Sequence, residues 1–214
     1  MGMIAPIGLV LGAPTTLALR TLPSRRIAGE MGLRQLLQLF LASRYVRIIS
    51  HPIVAALIFV GSLYALYFTS LFGYLMQSHL GHVAMELHFL AAGCLFFWVL
   101  VGVDPAPHKL HPLARIGLLL LVMPLHAFFA IALMSSNTVL AESYYSQLRR
   151  PYSTDLLADQ HLGAGIAWAI SELPILLVMA AVFVQWVRAD MREAARLDRA
   201  ADRAEQSVTH SQKP

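Results

Sequence analysis

"HLGHVAMELHFLAAGCLFFWVL", residues 79–100, is the stretch on which the reading of this chain turns. Its length suits a helix crossing the roughly 30 Å hydrocarbon core of a bilayer, which takes about 20 residues. Its first half nevertheless holds His79, His82, Met85, Glu86 and His88. Strongly charged groups at the centre of a spanning helix cost roughly 2.5–3.5 kcal/mol each, so polar residues there usually face a bundle interior or a water-filled cavity. The stretch therefore predicts a membrane helix that contributes to an internal site.

The whole chain agrees with that class. Its 214 residues are 57% hydrophobic and 13% charged, with mean hydropathy +0.62. Soluble domains run near 45–50% apolar and about 25% charged. The single cysteine, Cys94, rules out an intrachain disulfide framework or a CxxC metal clip. The net charge of +4 is carried by residues flanking apolar runs, where anionic membrane lipid accounts for them and nucleic acid is not required. No paired nucleophile and base and no phosphate-binding glycine loop is present, so the chain reads as a non-enzyme.

Four apolar runs are long enough to span: 52–76, 80–103, 113–135 and 163–187. Residues 3–19 are apolar but short and interrupted by Pro14, and they read as the second half of a span whose start lies outside this chain, as in an N-terminally truncated protein. Residues 33–49 mix Leu and Phe with Arg34, Arg44 and Arg47, the pattern of an amphipathic helix lying in the interface. The expected fold is all-α: a polytopic transmembrane bundle of four full spans, a partial N-terminal span and that interfacial helix. Residues 1–190 form the bundle, and 191–214 a charged cytoplasmic tail. Lys and Arg set the orientation. Fourteen lie in 20–47, 109–115 and 188–213, against Arg149 and Arg150 in the remaining loop, so the C-terminus is expected in the cytoplasm and residues 136–162 outside.

At a rise of 1.5 Å per residue, His88, His126 and Glu172 each fall about 12–13 Å below the outer surface. Met85 and His88, and Met123 and His126, share the i, i+3 relation that makes neighbours on a helix. Thioether beside imidazole suits copper better than magnesium or calcium. The candidate metal set is therefore His82, Met85, His88, Met123, His126, Asp159 and His161, with Asp159 and His161 at the entrance. Glu86 and Glu172 are placed to balance charge or to orient an imidazole through a hydrogen bond. Two other readings stay open. His88 and His126 at one depth would also serve as the two axial ligands of a haem b, and buried polar residues can simply join helices. "HKLH" at 108–111 lies among prolines on the other side, away from the set.

Four segments carry a resemblance: "HFLAAGCLFFWVLVGVDPAP" (88–107), "MPLHAFFAIALMSS" (123–136), "ADQHLGAGIAWAISELP" (158–174) and "VQWVRADMREAARLDR" (184–199). Together they resemble the CtaG-type cytochrome c oxidase assembly factors, a multi-helix membrane family often fused to a CopD-like region. The resemblance implies a bacterial plasma-membrane protein that helps mature a haem–copper oxidase through an oxidase subunit as partner, with a part in copper supply. It does not itself assign copper ligands.

Overall fold

The computed structural model describes residues 39–102, 106–108, 110–148 and 155–211, and every regular element among them is helical. The expected partial span at 3–19 lies outside the described residues, as does the first part of the expected interfacial helix. What is described of the latter bends at residues 42–43 before α1 (Arg44–Ile49), whose first turn is capped by the Ser43 hydroxyl accepting from the Val46 amide.

α2 (Pro52–Tyr67) opens on a proline, which suits the first helical position because no intrahelical partner is needed there. The expected span 52–76 does not continue as one helix. The Thr69 hydroxyl donates to the Ala65 carbonyl at 2.6 Å and accepts from the Leu71 amide. A side chain that bonds the backbone locally offers it an alternative to the helix. The chain turns, and α3 (Leu71–Met76) follows. α2 alone, at 16 residues, is about 24 Å long, short of the hydrocarbon core.

α4 (His79–Val101) and α5 (Pro112–Met134) match two expected spans within two residues at every boundary. Ser78 caps α4 by accepting from the Gly81 amide, and Gly102 ends it at φ 60°, the left-handed conformation that glycine adopts without strain. A short α6 (Glu142–Tyr145) crosses the loop after α5. α7 (Leu156–Ser211) begins well before the expected position 163, because Asp155 accepts from both the Leu157 and Ala158 amides and caps it there. It then continues through the expected boundary with the tail as one helix. Among the described residues, three helices, His79–Val101, Pro112–Met134 and the apolar part of Leu156–Ala204, are long and apolar enough to cross a membrane.

Packing defines two ends. α4 packs on α2 and α7, and α5 also packs on α2 and, most extensively of all, on α7. No comparable interface joins α4 to α5, so these two consecutive helices stand diagonally across the bundle. The half where α4 ends and α5 begins, called the tail end here, is solid. Phe96, Leu100, Leu119 and Val182 have under 2% of their surface exposed, and Phe59 stacks on Phe96 at 4.8 Å between ring centres. There Arg115 donates to the carbonyls of Leu110 and Val101 and to Gln185 Oε1, and Gln185 donates back to Val101. The opposite half, the cavity end, is built around a void.

Candidate functional site: a histidine-lined cavity

α7 creates the void by what it lacks. Along the face turned to α5 it carries Gly163, Ala164, Ala167 and Ser171, small residues at the i, i+1, i+4, i+8 spacing of one helical face. Opposite them α5 places His126, Phe129 and Leu133, again on one stripe. α2, α3 and α4 close the sides with Phe59, Tyr67, Phe72 and Phe89. The space between them is about 410 Å³, within the roughly 300–1,000 Å³ of small-molecule sites. Leu156 and Asp159 line its mouth and Ser171 its depth, a distance of about 22 Å along α7 by helical rise.

His126 is the ionisable group at depth. It is 7% exposed, and its Nδ1 is buried with no hydrogen-bond partner. A buried ring nitrogen left unpaired costs about 1–3 kcal/mol, so it marks a place where a partner belongs. Glu172 lies within electrostatic reach of the ring, but its Oε1 already accepts from the Trp168 indole one turn earlier, at 2.9 Å. Ser171 donates its hydroxyl to the Ala167 and Trp168 carbonyls of its own helix. At the mouth Gln160 is engaged on both sides, accepting from the Leu140 amide and donating to the Thr138 carbonyl.

The other sequence candidates are spread around this cavity rather than gathered in it. Met85 is buried at 3% exposure, but among Leu66, Phe72 and Met76, where it fills space. His82 is half-buried, its ring beside Tyr144 and its Nδ1 3.3 Å from the Ser78 carbonyl. His88 and Glu86 are exposed on the outside of α4, with His88 edge-on to Phe89. Met123 packs against the solid core of the tail end. His161 holds the Ser136 carbonyl at 2.8 Å through Nε2, tying α7 to the loop after α5. Asp159 does line the mouth. Among the described residues, no three of His, Cys, Asp and Glu come together as a metal-holding group.

Helical geometry explains the dispersal. Six residues separate His82 from His88, about 600° of rotation at 100° per residue, so the two point about 120° apart. Equal depth also places His88 and His126 on diagonal helices, one facing out of the bundle and the other inward. The two imidazoles do not face each other. Sequence reasoning missed the aromatic walls and the small-residue stripe of α7. The signal for the stripe was present in "QHLGAGIAWAIS", 160–171.

The fold and cavity define a multi-pass α-helical membrane protein with a buried histidine at the floor of a chamber opening at one end. Comparison with known families goes further: residues 1–189 match the model of the cytochrome c oxidase caa3 assembly factor (Caa3_CtaG) family, and the chain belongs to that family. It is 46% identical over 202 residues to uncharacterized proteins of Mycobacterium bovis and Mycobacterium tuberculosis, and 45% identical to one of Mycobacterium leprae. Each alignment covers 94% of this chain but only 31% of the relative, so the chain spans about a third of their length. No solved structure matches it.

Proposed function

We propose that this chain helps build a haem–copper cytochrome c oxidase from within the bacterial plasma membrane, that its cavity end is the outward, working end, and that copper is its cargo there. Membership of the caa3 assembly-factor family carries the oxidase part of the reading. The orientation rests on the fourteen-to-two distribution of Lys and Arg, which assigns the tail to the cytoplasm. The role is non-catalytic: the chain receives, holds and passes on, and its partner is an oxidase subunit.

For copper, the arrangement of donors favours transfer over storage. His82 on α4 and Asp159 at the mouth, toward the outer end, and His88, deeper on the outside of α4, are separate donors on the bundle surface, where a partner helix can reach them. A soft ion held by one or two of them is held weakly, and a receiving subunit that supplies the remaining ligands draws it away. No three of His, Cys, Asp and Glu come together among the described residues, so ligands from the receiving subunit are part of the proposal.

The test is made in the full-length protein in its own cell. Replacing His82 and His88 together with Ala is expected to lower the copper content and activity of the oxidase several-fold under copper limitation. The protein should still accumulate in the membrane, and added copper should restore much of the activity. Unchanged oxidase copper under limitation would remove copper from the function and leave oxidase assembly without a metal cargo.

A further inference from the structure

We infer that the cavity takes a neutral lipophilic molecule whose apolar body lies among the aromatic rings and whose single oxygen function, a quinone-type carbonyl or an alcohol, hydrogen-bonds the His126 imidazole. The inference deepens the reading above, since it rests on the cavity end being the working end, and it names what the chamber holds. At about 410 Å³ the space is more than ten times the roughly 30 Å³ share of a water molecule, far beyond the needs of a lone cation. The side walls are rings in mutual contact: Tyr67 stacks on Phe72 at 4.8 Å and meets Phe129 edge-on at 5.3 Å. Such walls accept a planar or unsaturated body.

The polar chemistry narrows the ligand further. Gln160 is engaged by the loop backbone, the Ser171 hydroxyl donates to its own helix, and Tyr67, Tyr145 and Asp159 have interactions of their own. That leaves His126, a lining side chain more than nine-tenths buried, with no hydrogen-bond partner on its Nδ1 among the described residues. A neutral imidazole carries one N–H and one bare nitrogen. The ring can therefore donate to a carbonyl or accept from a hydroxyl, and it matches neither an anion of high charge nor a purely hydrocarbon chain. Ligand sites of this size commonly pair apolar walls with one or a few placed polar groups.

The experiment uses the full-length protein in lipid nanodiscs and three probes: a benzoquinone with a decyl tail, the C15 isoprenoid alcohol farnesol, and hexadecane, which has no oxygen. Binding is read as a saturable rise in Tm, because a ligand selective for the folded state stabilises it. The expected result is saturation by the quinone, the alcohol or both, with no comparable shift from hexadecane; which probe saturates identifies the carbonyl or the hydroxyl as the natural chemistry. His126→Leu should weaken that binding roughly tenfold, the equivalent of one hydrogen bond. Ala164→Trp should abolish it by filling the chamber, and Ala167→Leu serves the same purpose if the tryptophan variant does not fold. Equal shifts from hexadecane, no shift from either oxygenated probe, or unchanged affinity in His126→Leu would each overturn the inference. None of these readouts uses oxidase activity, so a failure here is distinct from a failure of the assembly role.

Discussion

The two halves of the bundle are made from the same helices and are packed in opposite ways. At the tail end, large side chains of α2, α4, α5 and α7 interlock with almost no exposure, and Arg115 and Gln185 satisfy one another and the backbone at the helix ends. At the cavity end α7 presents glycine, alanine and serine where a filled core would need leucine, and His126 is left without a bond. The contrast separates anchor from workplace. Full packing gives stability, whereas a void with an orphaned polar atom costs stability and persists where something else fills it.

Mutations that reduce packing should therefore matter most at the tail end. Leu119→Ala, at a site with no exposed surface, is expected to destabilise the bundle by about 2–4 kcal/mol. Leu133→Ala, which only widens an existing cavity, should cost about half of that. Reversible unfolding in detergent compares the two, and equal losses would break the distinction between a solid and a hollow half.

Next in size is the polar lock of the tail end. Arg115→Met keeps the apolar stem but strips the donor from the Val101 and Leu110 carbonyls and from Gln185, a loss of about 2 kcal/mol by the same measurement. Gly102→Ala should cost about 1–2 kcal/mol, because φ there is 60° and an added Cβ would lie 2.5 Å from Arg115 Nη1. The double variant should lose less than the sum of the two, since removing the guanidinium relieves the clash.

The smallest effect is expected at Glu172. Gln offers the same oxygen to the Trp168 indole, so Glu172→Gln should change stability by less than about 0.5 kcal/mol. A Cu(I) chelator competition on the same variant sharpens the role of the carboxylate. A glutamate that orients a metal-bound imidazole would lose about 10–100-fold in affinity on this change, whereas a carboxylate serving Trp168 would lose none. The hydrogen bond to Trp168 predicts no change.

How far the sequence could be read follows from what each feature depends on. α4 and α5 were legible because unbroken apolar runs, the prolines at 112 and before it, and Gly102 punctuate them in the chain itself. The break after Tyr67 was not, because hydropathy runs on through Phe68, Leu71 and Phe72 while the turn is made by one hydroxyl, that of Thr69. The early start of α7 was hidden because the unbroken apolar run begins only at Gly163, although Asp155 supplies a strong cap upstream. His126 stood out as polar within an apolar run. Its separation from His88 could not be read from depth, since it depends on helix rotation and on α4 and α5 standing diagonally rather than side by side.

The central claim, that the hollow half is the working half of an oxidase assembly factor, is tested most directly by filling the hollow. The measurement is cytochrome c oxidase activity in membranes of cells whose full-length protein carries Ala164→Trp, at matched protein abundance, with Gly117→Ala on the open surface of the tail end as reference. Activity near that of a strain lacking the protein is expected for the first variant and normal activity for the second. Normal activity with the cavity filled would contradict it.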